Sequence, residues 1–160
     1  MALETNAELL GRVPIFQGLS RRQLATIAAN GKETFFDAGA AILQADTSGT
    51  AAYLLLNGFA VAEPLNQNEL AKEVLGYGAL LGELAMLVET TFSVTVWARC
   101  QVRALALKRD VLLDIMERDP TIACHLSEKL LQRLLSLAVD LRKVDAQFAE
   151  LEFPLDRAWP

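Results

Sequence analysis

The chain has 160 residues, of which 15 are Lys or Arg and 20 are Asp or Glu, giving a net charge of -5. That acidic balance lacks the basic stripe with which proteins grip a nucleic-acid backbone, so direct nucleic-acid binding is not expected. The apolar share of 52% is high for a soluble monomer, and the length suffices for one domain with a sizeable core plus an accessory helix, without disulfides or metal. No apolar run approaches the roughly 20 residues that cross a bilayer. The N-terminus, Met1-Ala2-Leu3-Glu4-Thr5-Asn6, lacks the basic-then-apolar order of a secretory signal, so the expectation is a cytoplasmic protein without a membrane anchor.

Residues 10–20, Leu10-Gly11-Arg12-Val13-Pro14-Ile15-Phe16-Gln17-Gly18-Leu19-Ser20, read as a short helix that gives way to a Pro-Ile-Phe turn. Ser20 precedes Arg21-Arg22-Gln23-Leu24-Ala25-Thr26-Ile27-Ala28, with Gln23 three residues on. This is the capping-box spacing, and Leu24, Ile27 and Ala28 form the apolar stripe of the helix it opens. Residues 33–108 then carry many short β-rich runs broken by Gly, Asn, Asp and Pro, the pattern of an antiparallel sandwich or barrel. Phe35-Phe36 and Ile42-Leu43 flank an Asp37-Ala38-Gly39 turn. Asn57-Gly58 lies between two apolar runs, Ala52-Tyr53-Leu54-Leu55-Leu56 and Phe59-Ala60-Val61, which predicts a β-hairpin there. The polar segment Pro64-Leu65-Asn66-Gln67-Asn68-Glu69 predicts a surface hairpin loop.

The next stretch carries the chemistry. Gly82-Glu83-Leu84-Ala85-Met86-Leu87 places a glycine, which lets a ligand approach the backbone, before about one helical turn whose free N–H groups suit an anion. Phe92-Ser93-Val94-Thr95-Val96-Trp97-Ala98 alternates in the strand manner and supplies a second wall. Farther on, residues 111–118 predict a short amphipathic helix, and Asp119-Pro120 predicts a cap and an N1 proline opening the last helix. Along it Leu130, Leu134, Leu137, Leu141, Val144, Phe148 and Leu151 keep an unbroken four-three spacing, one seam repeating every 3.5 residues. Arg142, Lys143, Asp145 and Gln147 between them oppose the wider stripe of a helix packed on its own domain, so the seam predicts a dimer interface between two copies. Cys100, assigned to a strand, and Cys124, assigned to a helix, have no metal-ligand spacing and are expected to be reduced, largely buried thiols. His125, the sole histidine, has no acidic partner beside it and is expected on a helix surface or in packing.

The Gly82-Glu83-Leu84-Ala85 and Ser93-Val94-Thr95-Val96 pieces resemble the phosphate-binding cassette of the cyclic nucleotide-binding domain family, as in bacterial cyclic AMP receptor-like regulators. The N-terminal turn, the residue 35–43 turn and the Asn57-Gly58 segment follow in family order. The resemblance implies that Glu83 accepts from a ribose hydroxyl, and that the amides around Leu84 and Ala85 and the Ser93 hydroxyl face a cyclic phosphate. The family arginine falls on Phe92. A ring cannot form a guanidinium's bidentate bond to phosphate, and losing a charge-assisted bond costs about 1.5–3 kcal/mol. The helix position that reaches the nucleotide base in many such regulators reads Leu135-Ser136-Leu137-Ala138, so the base contact is expected to be absent unless Ser136 substitutes.

The expected fold is mainly β with flanking helices: an antiparallel β-roll or jelly-roll barrel of cyclic nucleotide-binding domain type, plus a long C-terminal dimerisation helix. Residues 1–118 are assigned to the β-roll domain with its N-terminal helices, 119–152 to the dimerisation helix and 153–160 to a tail too short for a helix-turn-helix reader. The expected function is a non-catalytic regulatory or sensor module with weak or lost cyclic nucleotide binding, acting as a stand-alone homodimer. Gly82, Glu83, Leu84, Ala85, Phe92 and Ser93 line its ligand pocket. No metal or cofactor is expected. The ligand classes that remain open are a cyclic nucleotide or another small molecule, and a protein partner is a further option. The alternative is a working cyclic AMP or cyclic GMP receptor in which other groups replace the lost arginine.

Overall fold

The computed structural model describes residues 4–64 and 72–151. Helix α1 (Asn6–Arg12) opens with a capping box from Thr5 and Glu8, and a 3₁₀ turn, Pro14–Phe16, follows. Helix α2 (Arg21–Asn30) is capped as its spacing predicts. Ser20 Oγ accepts from the Gln23 N–H, and Gln23 Oε1 accepts from the Ser20 N–H.

Among the described residues ten strands follow: β1 (Lys32–Phe36), β2 (Ala41–Leu43), β3 (Ser48–Gly49), β4 (Ala51–Asn57), β5 (Ala60–Pro64), β6 (Glu73–Leu75), β7 (Leu80–Leu81), β8 (Thr90–Thr91), β9 (Val94–Ala98) and β10 (Val102–Lys108). They form two four-stranded sheets in the orders β1-β10-β4-β7 and β2-β9-β5-β6, plus the ribbon β3-β8, with antiparallel pairing throughout. The near-continuous apolar run of β4 has a simple cause, since both of its faces are covered. Leu54 and Leu56 face a core shared with the helices, and Leu55 faces a second core between the sheets. Strand β10 divides in the same way, with Leu105 and Leu107 toward the helices and Val102 and Ala104 toward the second sheet.

Two expectations change here. Asn57-Gly58 is a turn, with Gly58 at φ 85°, yet it does not close a hairpin. Strand β4 spends its edges on β10 and β7, and the chain crosses to the other sheet, where β5 pairs with β6 and β9. Pro64 closes β5, paired with Val94, rather than opening the loop. The loop's remaining positions, 65–69, lie outside the described residues, but β5 and β6 are antiparallel neighbours as a hairpin there requires.

Helix α3 (Arg109–Arg118) and helix α4 (Pro120–Leu151) complete the fold. Asp119 Oδ1 accepts from the Thr121 N–H at 3.1 Å, and Pro120 takes the first helical position. The first turns of α4 dock through Ile122 and Leu126, both buried, and the half-buried Leu130. From residue 131 to 150 every position is exposed, so most of this helix, about 48 Å long at 1.5 Å per residue, projects from the domain. The proposed tail, 153–160, lies outside the described residues. Among the described residues no helix is long and apolar enough to cross a membrane.

Candidate functional site

Strand β7 delivers the chain to Gly82, which sits in the left-handed region at φ 69°, ψ 36° and opens the 3₁₀ turn Glu83–Met86. Glycine alone takes that conformation without strain. The Ala85 N–H donates to the Gly82 carbonyl at 3.0 Å, so it is already engaged within the turn that the sequence reading offered to a phosphate. Ala85 and Met86 are buried beneath the turn, and Leu84 points outward, 47% exposed.

Phe92 lies on this turn. A Cβ on Gly82 would stand 2.9 Å from Phe92 Cε1, and one on Gly49 would stand 2.6 Å from Phe92 Cζ and 2.6 Å from the Ala85 Cβ. The ring therefore occupies a niche that exists only because positions 49 and 82 lack side chains. It is half-buried and packs against the core between the sheets. Its backbone is also fixed, since the Phe92 N–H donates to the Thr47 carbonyl at 3.0 Å and the Phe92 carbonyl accepts from the Asp46 N–H at 2.9 Å. The structure thus brings Gly82, Ala85 and Phe92 together. Ser93 is exposed beside them in sequence, with no side-chain partner among the described residues.

Glu83 turns the other way. Its carboxylate, only 20% exposed, contacts Arg133 of α4 as an ion pair, and its Oε1 has no hydrogen-bond partner among the described residues, so the group assigned to a ribose hydroxyl faces a cation of the chain itself. Sequence reasoning missed Arg133, although it lies one helical turn before Leu137 on the helix inspected for a base contact. It also missed Arg109. From the first residue of α3, Arg109 Nη1 donates to the carbonyls of Gly49 (3.0 Å), Ala85 (3.2 Å) and Val88 (2.9 Å). One guanidinium so fastens the β3 niche, the cassette turn and the segment after it to the helical layer. Only its position just past β10 marks it in sequence, and that position reads equally well as an ordinary helix start.

The remaining reactive side chains behave differently from expectation in one respect. Cys124 is exposed and Cys100 is half-buried, so neither is a core thiol. Cys124 falls about half a turn from the Ile122, Leu126 and Leu130 face that docks α4, and Cys100 follows the end of β9, where its Sγ accepts from the Phe59 N–H at 3.4 Å. His125 is half-buried and packs on Gly18, whose added Cβ would stand 2.9 Å from His125 Cε1.

The seam positions are exposed beyond Leu130: Leu134 63%, Leu137 53%, Leu141 66%, Val144 43% and Phe148 64%. Leu151 is the last described residue.

A family model described as the cyclic nucleotide-binding domain matches residues 33–119, more than half of the chain. Among solved structures, the chain is similar to the N-terminal domain of a transcriptional regulator from Streptomyces coelicolor A3(2), at 23% identity and TM-score 0.72, covering 81% of this chain and 94% of that one. It is also similar to a cyclic nucleotide-binding-like protein from Brucella abortus, at 22% identity and TM-score 0.60, covering 70% of this chain and 97% of that one. A third likeness is to the catabolite activator protein of Thermus thermophilus, at 26% identity and TM-score 0.65, covering 82% of this chain and 63% of that one.

Proposed function

The chain belongs to the cyclic nucleotide-binding domain family, and we propose that it is a non-catalytic, cytoplasmic regulatory module in which cyclic nucleotide binding is weak or lost and which works as a homodimer. The observation that carries this reading is the Phe92 ring packed on Gly82 and Gly49, at the position where the resemblance puts the family arginine. A cyclic phosphate seated on the cassette would have to displace that ring and desolvate against it without a guanidinium in return. The Glu83 carboxylate, held by Arg133, would in addition have to exchange an ion pair for a sugar hydroxyl. The dimer rests on the exposed seam of α4, from Leu134 onward with Leu130 at its root. We place the boundary between β-roll and dimerisation helix at 118/119, where Asp119 ends α3 and caps α4.

One observation favours the second reading, a working receptor. Arg133 brings a guanidinium to the cassette turn and could offer a phosphate what position 92 does not. Calorimetric titration of cyclic AMP and cyclic GMP into the unmodified chain and into Phe92→Arg separates the two. Negligible binding by the unmodified chain, with a gain of about tenfold or more in Phe92→Arg, is expected. Micromolar binding by the unmodified chain that is lost in Arg133→Gln would establish the receptor reading instead.

A further inference from the structure

Beside Glu83 lies an open groove of about 610 Å3, lined by Pro14, Ile15 and Gln17 of the N-terminal turn and by Lys129, Leu130, Gln132 and Arg133 of α4. That volume falls within the range of small-molecule sites, roughly 300–1,000 Å3. Its floor is apolar, formed by Pro14, Ile15 and Leu130. Lys129 and Arg133 are spaced i, i+4, so they project on the same side of the helix. Lys129 is half-buried and has no acidic partner among the described residues. Among the described lining residues the single carboxylate, Glu83, is 20% exposed and in an ion pair, whereas the Arg133 side chain that pairs with it is 62% exposed. The charge the groove presents to solvent is therefore positive. A guanidinium has five donors on a planar fork and can hold one carboxylate while offering a second edge to another anion.

We infer that this groove is a second ligand site, taking a small organic anion that carries a carboxylate or phosphate group on an apolar body. The anionic group sits between Lys129 and Arg133, and the body lies on Pro14, Ile15 and Leu130. Neither Phe92 nor Ser93 lines this groove, which shares only Glu83 with the cassette. It also joins the N-terminal turn, the cassette residue Glu83 and the root of α4, so its occupancy would tighten the seat of the projecting helix.

The test is calorimetric titration of the whole chain with phenyl phosphate and with benzoate, using phenol as the uncharged control. Saturable binding of at least one of the two anions is expected, weakened about tenfold or more in Lys129→Gln, as the loss of one charge-assisted bond implies. Lys129→Gln leaves the Glu83–Arg133 pair in place and should fold normally, and Arg133→Gln gives a second reading of the same loss. The inference is overturned if neither anion binds saturably, if Lys129→Gln binds as well as the unmodified chain, or if phenol binds as tightly as phenyl phosphate. The cyclic AMP titration is a separate measurement, so failure here and failure of the closed-cassette reading are told apart.

Discussion

Phe92 has two roles that pull against each other, and a single substitution should expose both. The ring fills the niche over Gly49 and Gly82, so replacing it with arginine empties that niche, because a guanidinium is not desolvated there without a partner. A fully buried Phe→Ala change costs about 3–5 kcal/mol; for this half-buried ring we expect roughly 2 kcal/mol. Phe92→Arg should therefore melt lower than the unmodified chain without ligand and recover in saturating cyclic AMP, which the unmodified chain should not do. Arg109 makes a complementary case. Its three carbonyl partners belong to separate segments, and Arg109→Leu leaves them short of donors, at a cost of about 1–3 kcal/mol in urea unfolding. A loss below about 0.5 kcal/mol would show that water replaces the guanidinium. That Phe92 meets the Gly82 turn was legible in sequence because only a short spacer separates the two pieces of the motif. Arg109 and Arg133 were not, because their partners lie 21 to 60 residues away for Arg109 and on a different element for Arg133.

Element by element, local chemistry announced itself and pairing did not. The Ser20 and Asp119 caps, the N1 proline and the 3₁₀ turns depend on residues within one turn of each other, and all appear where spacing places them. Asn57-Gly58 also turns, but which strand then pairs with β4 depends on β10, some 50 residues on, and on β4 being covered on both faces. The junction of α3 and α4 gives a pH prediction. Asp119 is held below the usual carboxylate range by hydrogen bonds, first from the Thr121 side chain and then from Gln23. With its folded pKa below the unfolded one, its contribution is complete above the unfolded value and lost as pH falls through the folded one. Asp119→Asn should thus be less stable than the unmodified chain at neutral pH, and the two urea midpoints should converge as pH falls below the usual carboxylate range. A constant gap across that range would mean that the carboxylate charge contributes nothing. The docking of α4 can be probed separately at Gly18, which has φ +101° and meets His125. Gly18→Ala should cost at least roughly 1–2 kcal/mol, or several degrees in Tm at about 2–4 °C per kcal/mol for a chain of this size.

For the whole molecule, the question is what covers α4. The domain buries Ile122 and Leu126 and half-buries Leu130, then releases a helix whose exposed apolar residues include Leu134, Leu137, Leu141, Val144 and Phe148 in one seam, with Leu131 and Leu135 widening it near the root. A monomer would leave these side chains in water, and at about 25 cal/mol per Å2 their burial drives association. We propose a second copy as the partner, because a four-three seam meets its own repeat without adjustment, a and d residues of one helix filling holes in the other. Charge tunes the pair only slightly. Asp140, Arg142, Lys143 and Asp145 are exposed, the Lys143–Asp140 contact is 3.9 Å long, and such surface pairs contribute under about 1 kcal/mol. We therefore expect an unmodified dimer by sedimentation equilibrium at micromolar concentration, and a monomer when Leu137 and Leu141 are both changed to Glu. These two positions lie beyond the docked root, so the substitutions should leave the melting of the β-roll itself nearly unchanged. A mixture of unmodified and doubly substituted chains should contain dimers of the former and monomers of the latter. If the unmodified chain sediments as a monomer at about 10 μM, as an association free energy weaker than roughly -7 kcal/mol would give, the seam must be covered by something other than a second copy.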